Sequence, residues 1–168
     1  MTVIHSAEFA REGEKISGVI VLGDMPRLAD QLAADAGEVQ WQLSGGVDKW
    51  ERPFLRLRVQ ADVELVCQRC LKSMPFRVDA DTVLTQFADE ATLDEAVEQD
   101  EDLEGILIEP ELDVEMLVED EILLALPYAP LHATCDVAGG AAGRSAQAKP
   151  NPFAVLAQLK TGKAEDSN

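Results

Sequence analysis

The sequence is poor in aromatic side chains and in cations. Aromatic residues make up 5% of the 168 residues, so aliphatic side chains must build most of the hydrophobic core. Lys and Arg number 14 against 32 Asp and Glu, which gives a formal net charge of -18. A field of that sign repels a phosphate backbone, so the chain as a whole is a poor candidate for non-specific RNA binding. A basic protein is the more natural partner, although acidity can also serve solubility alone.

The chain also lacks an apolar run of the ~20 residues that a membrane-spanning helix needs. Residues 1–18 show no basic region followed by an apolar stretch and a small-residue cleavage site, so no secretory signal is predicted. Cysteines number three, an odd count that argues for a reducing compartment rather than a disulfide framework. We therefore expect a cytoplasmic protein with no membrane partner.

Motifs of enzymatic catalysis are missing as well. His5 and His132 have no Ser nucleophile elbow beside them, and no Gly-rich phosphate-binding loop is present. Many carboxylate pairs exist, but in so acidic a chain a pair has little meaning. We expect no enzyme and assign no catalytic residue.

The clearest periodicity begins after Pro53. Apolar and polar residues alternate over 55–67, and the alternation resumes over 76–84. This period of two is typical of strands with one buried face, and it predicts a long antiparallel hairpin. Because the first strand exceeds the usual ~3–10 residues, a bend or bulge is expected within it. Shorter strands are predicted at 16–22 and 39–43.

Helical spacing marks two segments. Leu28, Leu32 and Ala36 predict a short helix over 25–36, and the apolar residues of 113–126 predict a longer one that Asp113 can cap. Between them, segment 89–104 holds nine acids and no cation. That composition predicts an acidic mobile loop or a marginal helix.

Together these elements predict an α+β fold. We expect a bent antiparallel sheet, with a barrel-like closure as one form of the bend, a covering helix and short peripheral helices. Residues 1–136 are expected to form a single α+β domain. A flexible Gly-, Ala- and Ser-rich linker is predicted at 137–150, followed by a short C-terminal helix and tail at 151–168.

Two pairs of potential metal ligands are spaced alike. Cys67 and Cys70 form CQRC in the hairpin connection, and His132 and Cys135 form HATC after the long helix. Each pair can direct its donor atoms at one tetrahedral ion, so a structural zinc is a candidate cofactor. The alternatives are that Cys67 is an ordinary core residue beside spare thiols, or that the CxxC pair performs thiol redox chemistry.

The predicted long helix is acidic and contains no Lys or Arg. Like charges at four-residue spacing destabilise an isolated helix by a few tenths of a kcal/mol each, so other interactions must hold it. Burial of its leucines is sufficient, with Arg56 or Arg58 of the hairpin as candidate ionic partners. Alternatively, the helix is a docking face for a cationic partner. The residues of that face are Glu115, Glu119, Asp120 and Glu121.

Basic residues have one local excess, around the hairpin. Without interleaved aromatics this group is a poor base-stacking surface, but a small RNA-facing patch at the hairpin tip remains an alternative. The residues concerned are Arg52, Arg56, Arg58, Arg69, Lys72 and Arg77.

Four segments taken in order resemble the YceD family of large-subunit (23S) ribosomal RNA accumulation proteins. They are VCQRCLKSM at 66–74, MLVEDEILLALPYAPLH at 116–132, Cys135, and KPNPFAVLAQLK at 149–160. The resemblance implies a role in the synthesis, processing or stability of large-subunit ribosomal RNA, with no established catalytic activity. The segments it marks as important contain Cys67, Cys70, Glu119, Asp120, Glu121, Pro127, Pro130, His132 and Cys135.

The resemblance and the acidic composition together predict a non-enzymatic ribosome-biogenesis factor. Its expected partner is a basic ribosomal or RNA-processing protein, so its association with large-subunit ribosomal RNA would be indirect. Two other classes stay open: a zinc-stabilised protein-interaction module unrelated to ribosomes, and a CxxC thiol oxidoreductase.

Overall fold

The structure, a computed structural model, describes residues 2–135. The predicted linker at 137–150 and the predicted C-terminal helix at 151–168 lie outside the described residues. The elements, in chain order, are β1 (Val3–Ile4), α1 (Ser6–Glu12), β2 (Lys15–Val21), a 3-10 turn (Leu22–Asp24), β3 (Leu32–Ala34), β4 (Glu38–Val47), β5 (Pro53–Val66), β6 (Ser73–Phe87), α2 (Glu90–Gln99), β7 (Glu104–Leu107), β8 (Leu112–Asp113) and α3 (Val114–Ala125).

Most strands join one sheet in the order β2–β4–β5–β6–β7. All neighbours on this path are antiparallel except β6 and β7, which are parallel. The short β3 pairs with the far end of β5, and β1 pairs separately with β8. The α+β prediction is confirmed. In the described part of the chain β2 and β7 remain edge strands, so the sheet is open and not a closed barrel.

The predicted hairpin is the centre of the sheet. Strands β5 and β6 pair without interruption from Phe54↔Thr85 to Val66↔Ser73. Of the bend or bulge expected within β5, a bulge is absent from its pairing with β6, whose register never shifts. A register shift does occur where β3 pairs with β5, between Leu32 and Ala34. Leu55 and Leu57 are fully buried while Arg56 between them faces solvent, as the period of two requires.

Helices α1 and α3 cover the buried face of the sheet. Val118 and Ile122 of α3 are fully buried in the core, and the predicted cap is confirmed because the Asp113 side chain accepts the backbone N–H of Glu115 at 2.9 Å. Helix α1 was not predicted from the sequence. It lies so close to β4 that a Cβ on Gly45 would stand 2.4 Å from the carbonyl oxygen of Phe9, which explains a glycine within that strand.

The helix predicted over 25–36 is wrong. In its place the chain makes short turns, with the Leu28 N–H bound to the Met25 carbonyl at 3.2 Å, and then enters β3. Leu28 is fully buried, and the N–H groups of Arg27 and Leu28 both donate to the carboxylate of Glu119 on α3. A helix over 25–36 would have left these first-turn N–H groups without an internal acceptor, so Glu119 binds them as a cap would, while the chain beyond them turns into β3 instead of continuing as a helix.

A mobile loop and a marginal helix are the two predicted alternatives for segment 89–104. The structure shows a helix there, α2. Asp89 caps α2 by accepting the N–H of Thr92 at 2.9 Å, and no side chain of α2 is buried. Leu93 packs so closely over Gly105 that a Cβ there would stand 2.2 Å from its Cδ1 atom. This contact holds α2 against β7, while its acids face solvent.

Candidate metal centre

The four predicted metal ligands come together in the structure. Cys67 directly follows β5, Cys70 lies in the β5–β6 turn, and His132 and Cys135 follow α3. One donor atom from each residue lies within 4.8 Å of the other three. The cluster therefore joins the tip of the hairpin to the segment after the long helix.

The β5–β6 turn places both of its cysteines on one side. Cys67 donates its N–H to the carbonyl of Lys72 at 2.9 Å and accepts the N–H of Leu71 at its own carbonyl at 2.8 Å. Leu71 has φ +60, a left-handed conformation that tightens the turn. The Gln68 N–H donates to the Pro130 carbonyl at 2.9 Å and so fixes the second ligand pair beside the turn.

The distances within the cluster suit tetrahedral coordination. Metal–sulfur bonds of about 2.3 Å and metal–nitrogen bonds of about 2.0 Å imply edges of about 3.8 Å between two sulfurs and about 3.5 Å between sulfur and nitrogen. The Cys67 and Cys135 Sγ atoms are 3.9 Å apart, and Cys70 Sγ lies 3.4 Å from His132 Nδ1. This arrangement can hold a metal ion.

Arg69, which lies between the two cysteines of the turn, completes the surroundings of the cluster. Its Nε donates to Cys135 Sγ at 2.7 Å and its Nη2 to the His132 carbonyl at 2.9 Å. A complex of three thiolates, one imidazole and a divalent cation carries one negative charge, which the guanidinium balances. Composition alone groups Arg69 with the other cations of the hairpin and does not predict this role, for which its position inside CQRC is the available signal.

The thiols of the cluster are electrostatically unequal. Burial raises the pKa of Cys67, but N–H groups of Cys70, His132 and Arg69 outweigh it and lower that pKa to about 5. Burial raises the pKa of Cys135, against the opposing effect of Arg69. The lowered pKa of Cys67 favours its thiolate, the form that binds metal, and the side chain is fully buried.

The acidic residues predicted as a docking face are used unequally inside the chain. Glu119 is buried, and its carboxylate binds the N–H and the guanidinium of Arg27, each at 2.8 Å. The half-exposed Asp120 also binds Arg27, at 2.5 Å, and Glu121 accepts a hydrogen bond from Thr82. Glu115, also on α3, is partly exposed. Burial removes Glu119 from any accessible docking surface.

The expected partners of the acidic helix, Arg56 and Arg58, lie elsewhere. Both point from the solvent-facing side of β5 and bind Asp81 of β6, whereas α3 packs on the opposite face. Arg27, from the segment 25–36 that the sequence predicts as a helix, pairs with Glu119 and Asp120 of α3. No local sequence pattern identified it, because 92 residues separate Arg27 from Glu119.

Within residues 2–135, no helix has the length and apolar character required to cross a bilayer.

Comparison with known proteins identifies the family. The family model described as large ribosomal RNA subunit accumulation protein YceD matches residues 55–160, a range that contains all but the first two residues of the hairpin, together with α3 and the metal-ligand cluster. The large ribosomal RNA subunit accumulation protein YceD of Haemophilus influenzae is 34% identical over an aligned length of 152 residues, and the alignment covers 85% of this chain and 86% of that protein. No solved structure matches. On these similarities, the chain belongs to the YceD family.

Proposed function

We propose that this chain supports the accumulation of large-subunit ribosomal RNA, through its synthesis, processing or stability, as a non-enzymatic factor. Membership of the YceD family carries this proposal, since both the family and the Haemophilus influenzae relative are described by that role. The proposal assigns no catalytic residue and places the chain in the cytoplasm, where ribosomal RNA of a 23S type is made.

The acidic side of the molecule is the proposed docking surface for a basic ribosomal or RNA-processing protein. From residue 78 to residue 135 the chain contains no Lys or Arg. Glu90, Asp94, Glu95 and Glu98 of α2 are all exposed. Such a surface attracts a cationic partner and repels free RNA, so contact with ribosomal RNA on this side would be indirect.

Three acids of α3 extend this proposed surface. Glu115, Asp120 and Glu121 are partly exposed, and Asp120 keeps 50% of its side chain accessible beside Arg27. A cationic partner can approach them without breaking the buried Arg27–Glu119 pair. The docking surface thus consists of the exposed acids of segment 89–104 together with these three residues.

Depletion of the protein in cells tests the function. We expect a deficit of large subunits in a sucrose gradient and a change in the level of precursor or mature large-subunit ribosomal RNA. Unchanged subunits and unchanged ribosomal RNA after depletion would contradict the proposed role.

Matched neutral variants test the docking surface. Variant one carries Asp94→Asn, Glu95→Gln and Glu98→Gln on α2. Variant two carries Glu8→Gln, Glu12→Gln and Glu14→Gln and loses the same formal charge elsewhere. Binding of purified basic ribosomal proteins, at low and high salt, should weaken in variant one and persist in variant two.

If both variants bind the basic proteins equally, net charge alone accounts for the attraction, and α2 is not the docking surface. Loss of the fold is not expected in variant one, because its substitutions remove like-charge pairs such as Asp94 and Glu98 from an exposed helix.

We also propose that the cluster of Cys67, Cys70, His132 and Cys135 binds a structural zinc ion. A set of three sulfurs and one imidazole nitrogen suits zinc, and four protein ligands leave no open position for a substrate. The ion would fasten the hairpin tip to the segment after α3. Metal analysis of protein purified without chelator should find one zinc per chain; a fully folded, metal-free protein would contradict this.

The geometry and the family disfavour the two other classes. A zinc-stabilised module unrelated to ribosomes does not agree with a family match over residues 55–160. A CxxC oxidoreductase needs an accessible attacking thiolate, but Cys67 is fully buried. The proximity of His132 and Cys135 is explained by metal coordination and not by a two-cysteine redox pair.

A further inference from the structure

The solvent-facing side of the sheet has an ordered distribution of charge. Residues on this face form rows across the strands, which the pairing register defines. One row contains Lys15, Ser44 and Arg56, and the next contains Ser17, Gln42, Arg58 and Asp81. The cations of β2 and β5 therefore converge at one corner of an otherwise acidic protein.

This corner is concave. A depression of about 190 Å³ is lined by Lys15, Gln42, Ser44, Arg56 and Arg58. All five are capable of hydrogen bonding, and no carboxylate is among them. Gln42 and Arg58 also line an adjoining depression of about 490 Å³, so the two form one continuous trough along the sheet. The remaining lining residues of the second depression are Gln40, Trp41, Gln60, Asp79, Ala80 and Asp81.

The cations at this corner retain unused donors. Among residues 2–135, the Lys15 ammonium has no hydrogen-bond or ion-pair partner, and Arg58 uses only its Nε, which donates to Asp81 at 3.1 Å. Arg56 binds Asp81 through Nε at 2.6 Å and Nη2 at 2.7 Å. The Arg56 and Arg58 side chains keep 44% and 52% of their surface exposed. Across both depressions three cations stand against two carboxylates, Asp79 and Asp81, and no carboxylate lines the smaller one, so the corner remains positive.

The positive corner and the acids of α3 lie on opposite sides of the sheet. Arg56 and Arg58 alternate along β5 with Leu55 and Leu57, which point into the core that α3 covers. The sheet thus separates α3, with its acids, from the positive corner. The net charge of -18 repels a polyanion from the molecule as a whole, whereas the three cations of this corner attract it locally.

We propose that the trough lined by Lys15, Gln42, Ser44, Arg56 and Arg58 binds the phosphate backbone of an RNA strand. This inference rests on the proposed function, since it names the surface through which the chain would touch ribosomal RNA directly. Lys15 and Arg56 stand two strand spacings apart, about 9–10 Å, so they contact different phosphates of one strand. The Gln42 and Gln60 amides can hydrogen-bond riboses or base edges along the trough.

The continuity of the trough favours an RNA strand over a free nucleotide. A single phosphate needs only the smaller depression, whereas the row of amides beyond Arg58 gives an extended ligand further partners. The surface has no exposed aromatic side chain for base stacking among its lining residues, so contacts to phosphate should dominate. Binding should accordingly depend on salt more than on sequence.

Fluorescence anisotropy of the full chain with a labelled single-stranded RNA of mixed sequence tests this. The double variant Lys15→Gln, Arg58→Gln should weaken binding about tenfold or more and make log Kd less steep against log salt by about 1.4, because two phosphate contacts are lost. The matched control is Lys49→Gln with Arg77→Gln, which removes the same charge outside the trough. It should change Kd by less than about twofold.

Further arms separate the possible outcomes. ATP and inorganic phosphate serve as competitors: if either displaces the RNA at concentrations near the Kd of the RNA, the site is for a small phosphate compound and the proposal is wrong. Equal weakening in the double variant and its control, or no RNA binding by the wild-type chain at low salt, also overturns it. Circular dichroism confirms that both variants fold. Depletion effects on ribosomal RNA test the proposed function separately.

Discussion

The carboxylate of Glu119 on α3 accepts the backbone N–H and the Nε of Arg27, both at 2.8 Å. It also accepts the N–H of Leu28 at 3.3 Å. The Glu119 side chain is 6% exposed, whereas the Arg27 side chain remains 41% exposed. One side chain thereby binds two backbone N–H groups near the start of the segment that the sequence predicts as a helix, 25–36, where a helix leaves its N–H groups without internal partners. The acidic helix is consequently both a surface element and an anchor for this segment.

Glu119→Ala should destabilise the protein strongly. The substitution leaves the Arg27 N–H without its partner and the guanidinium without its buried anion, while the Leu28 N–H keeps the Met25 carbonyl, so the free energy of unfolding should fall by about 2–4 kcal/mol. Urea unfolding measures it. The neighbouring Asp120→Asn, at a half-exposed carboxylate, should cost less than about 1 kcal/mol. Equal losses in the two variants would contradict a special role for Glu119.

His132→Asn should remove the metal or weaken its binding. Without the imidazole ligand, zinc content should fall below one per chain, and the melting temperature should lose its sensitivity to chelators. His5→Asn is the matched control, since His5 precedes α1 and lies outside the cluster. If both variants contain as much metal as the wild-type chain, His132 is not a ligand.

Arg69→Met should lower zinc affinity without removing a ligand. Its guanidinium donates to Cys135 Sγ, and loss of such a supporting contact typically weakens a metal site by about 10–100-fold. Competition with a chromogenic chelator measures the affinity. Lys72→Met removes a cation from the same turn and should leave the affinity unchanged within about twofold. A similar loss in both variants would indicate general electrostatics instead.

The Asp81 carboxylate should stabilise the sheet above pH 4 and stop doing so in acid. Hydrogen bonds from Arg56, followed by those from Arg58, lower its pKa from 3.8 to about 2. A pKa that is lower in the folded state means that the contribution is complete above pH 3.8 and is lost as the pH falls towards 2. Solvent screening of this exposed pair limits the effect to less than about 1 kcal/mol.

Urea midpoints at pH 5 and pH 2.5 test this dependence. Asp81→Asn should be less stable than the wild-type chain at pH 5 and nearly equal to it at pH 2.5. Asp62→Asn is the control, because Asp62 is 83% exposed and lies 3.9 Å from Arg77. A wild-type advantage over Asp81→Asn that is the same at both pH values would contradict the argument.

The family and the metal-ligand cluster could be predicted from the sequence to different extents. Distinct segments carried the resemblance to the YceD family, which the comparisons confirm. The equal spacing of CQRC and HATC identified four ligands that the structure brings together. That the cluster binds an ion, and that this ion is zinc, stays a prediction. The hydrogen bonds of Arg69 to the cluster could not be predicted, because ligand spacing indicates which residues can converge but not which neighbouring side chain contacts them.

The sequence by itself determined the β5–β6 hairpin, the capped helix α3 and the acidic composition, because each is local: a period of two, an Asp before an apolar run, and a count of charges. Tertiary structure alone decided that 25–36 is not helical, that Glu119 is buried while Glu115 and Asp120 stay partly accessible, and that Lys15 joins Arg56 and Arg58 in one trough. These outcomes depend on residues far apart in the chain, whose meeting lowers the free energy only once the sheet has formed.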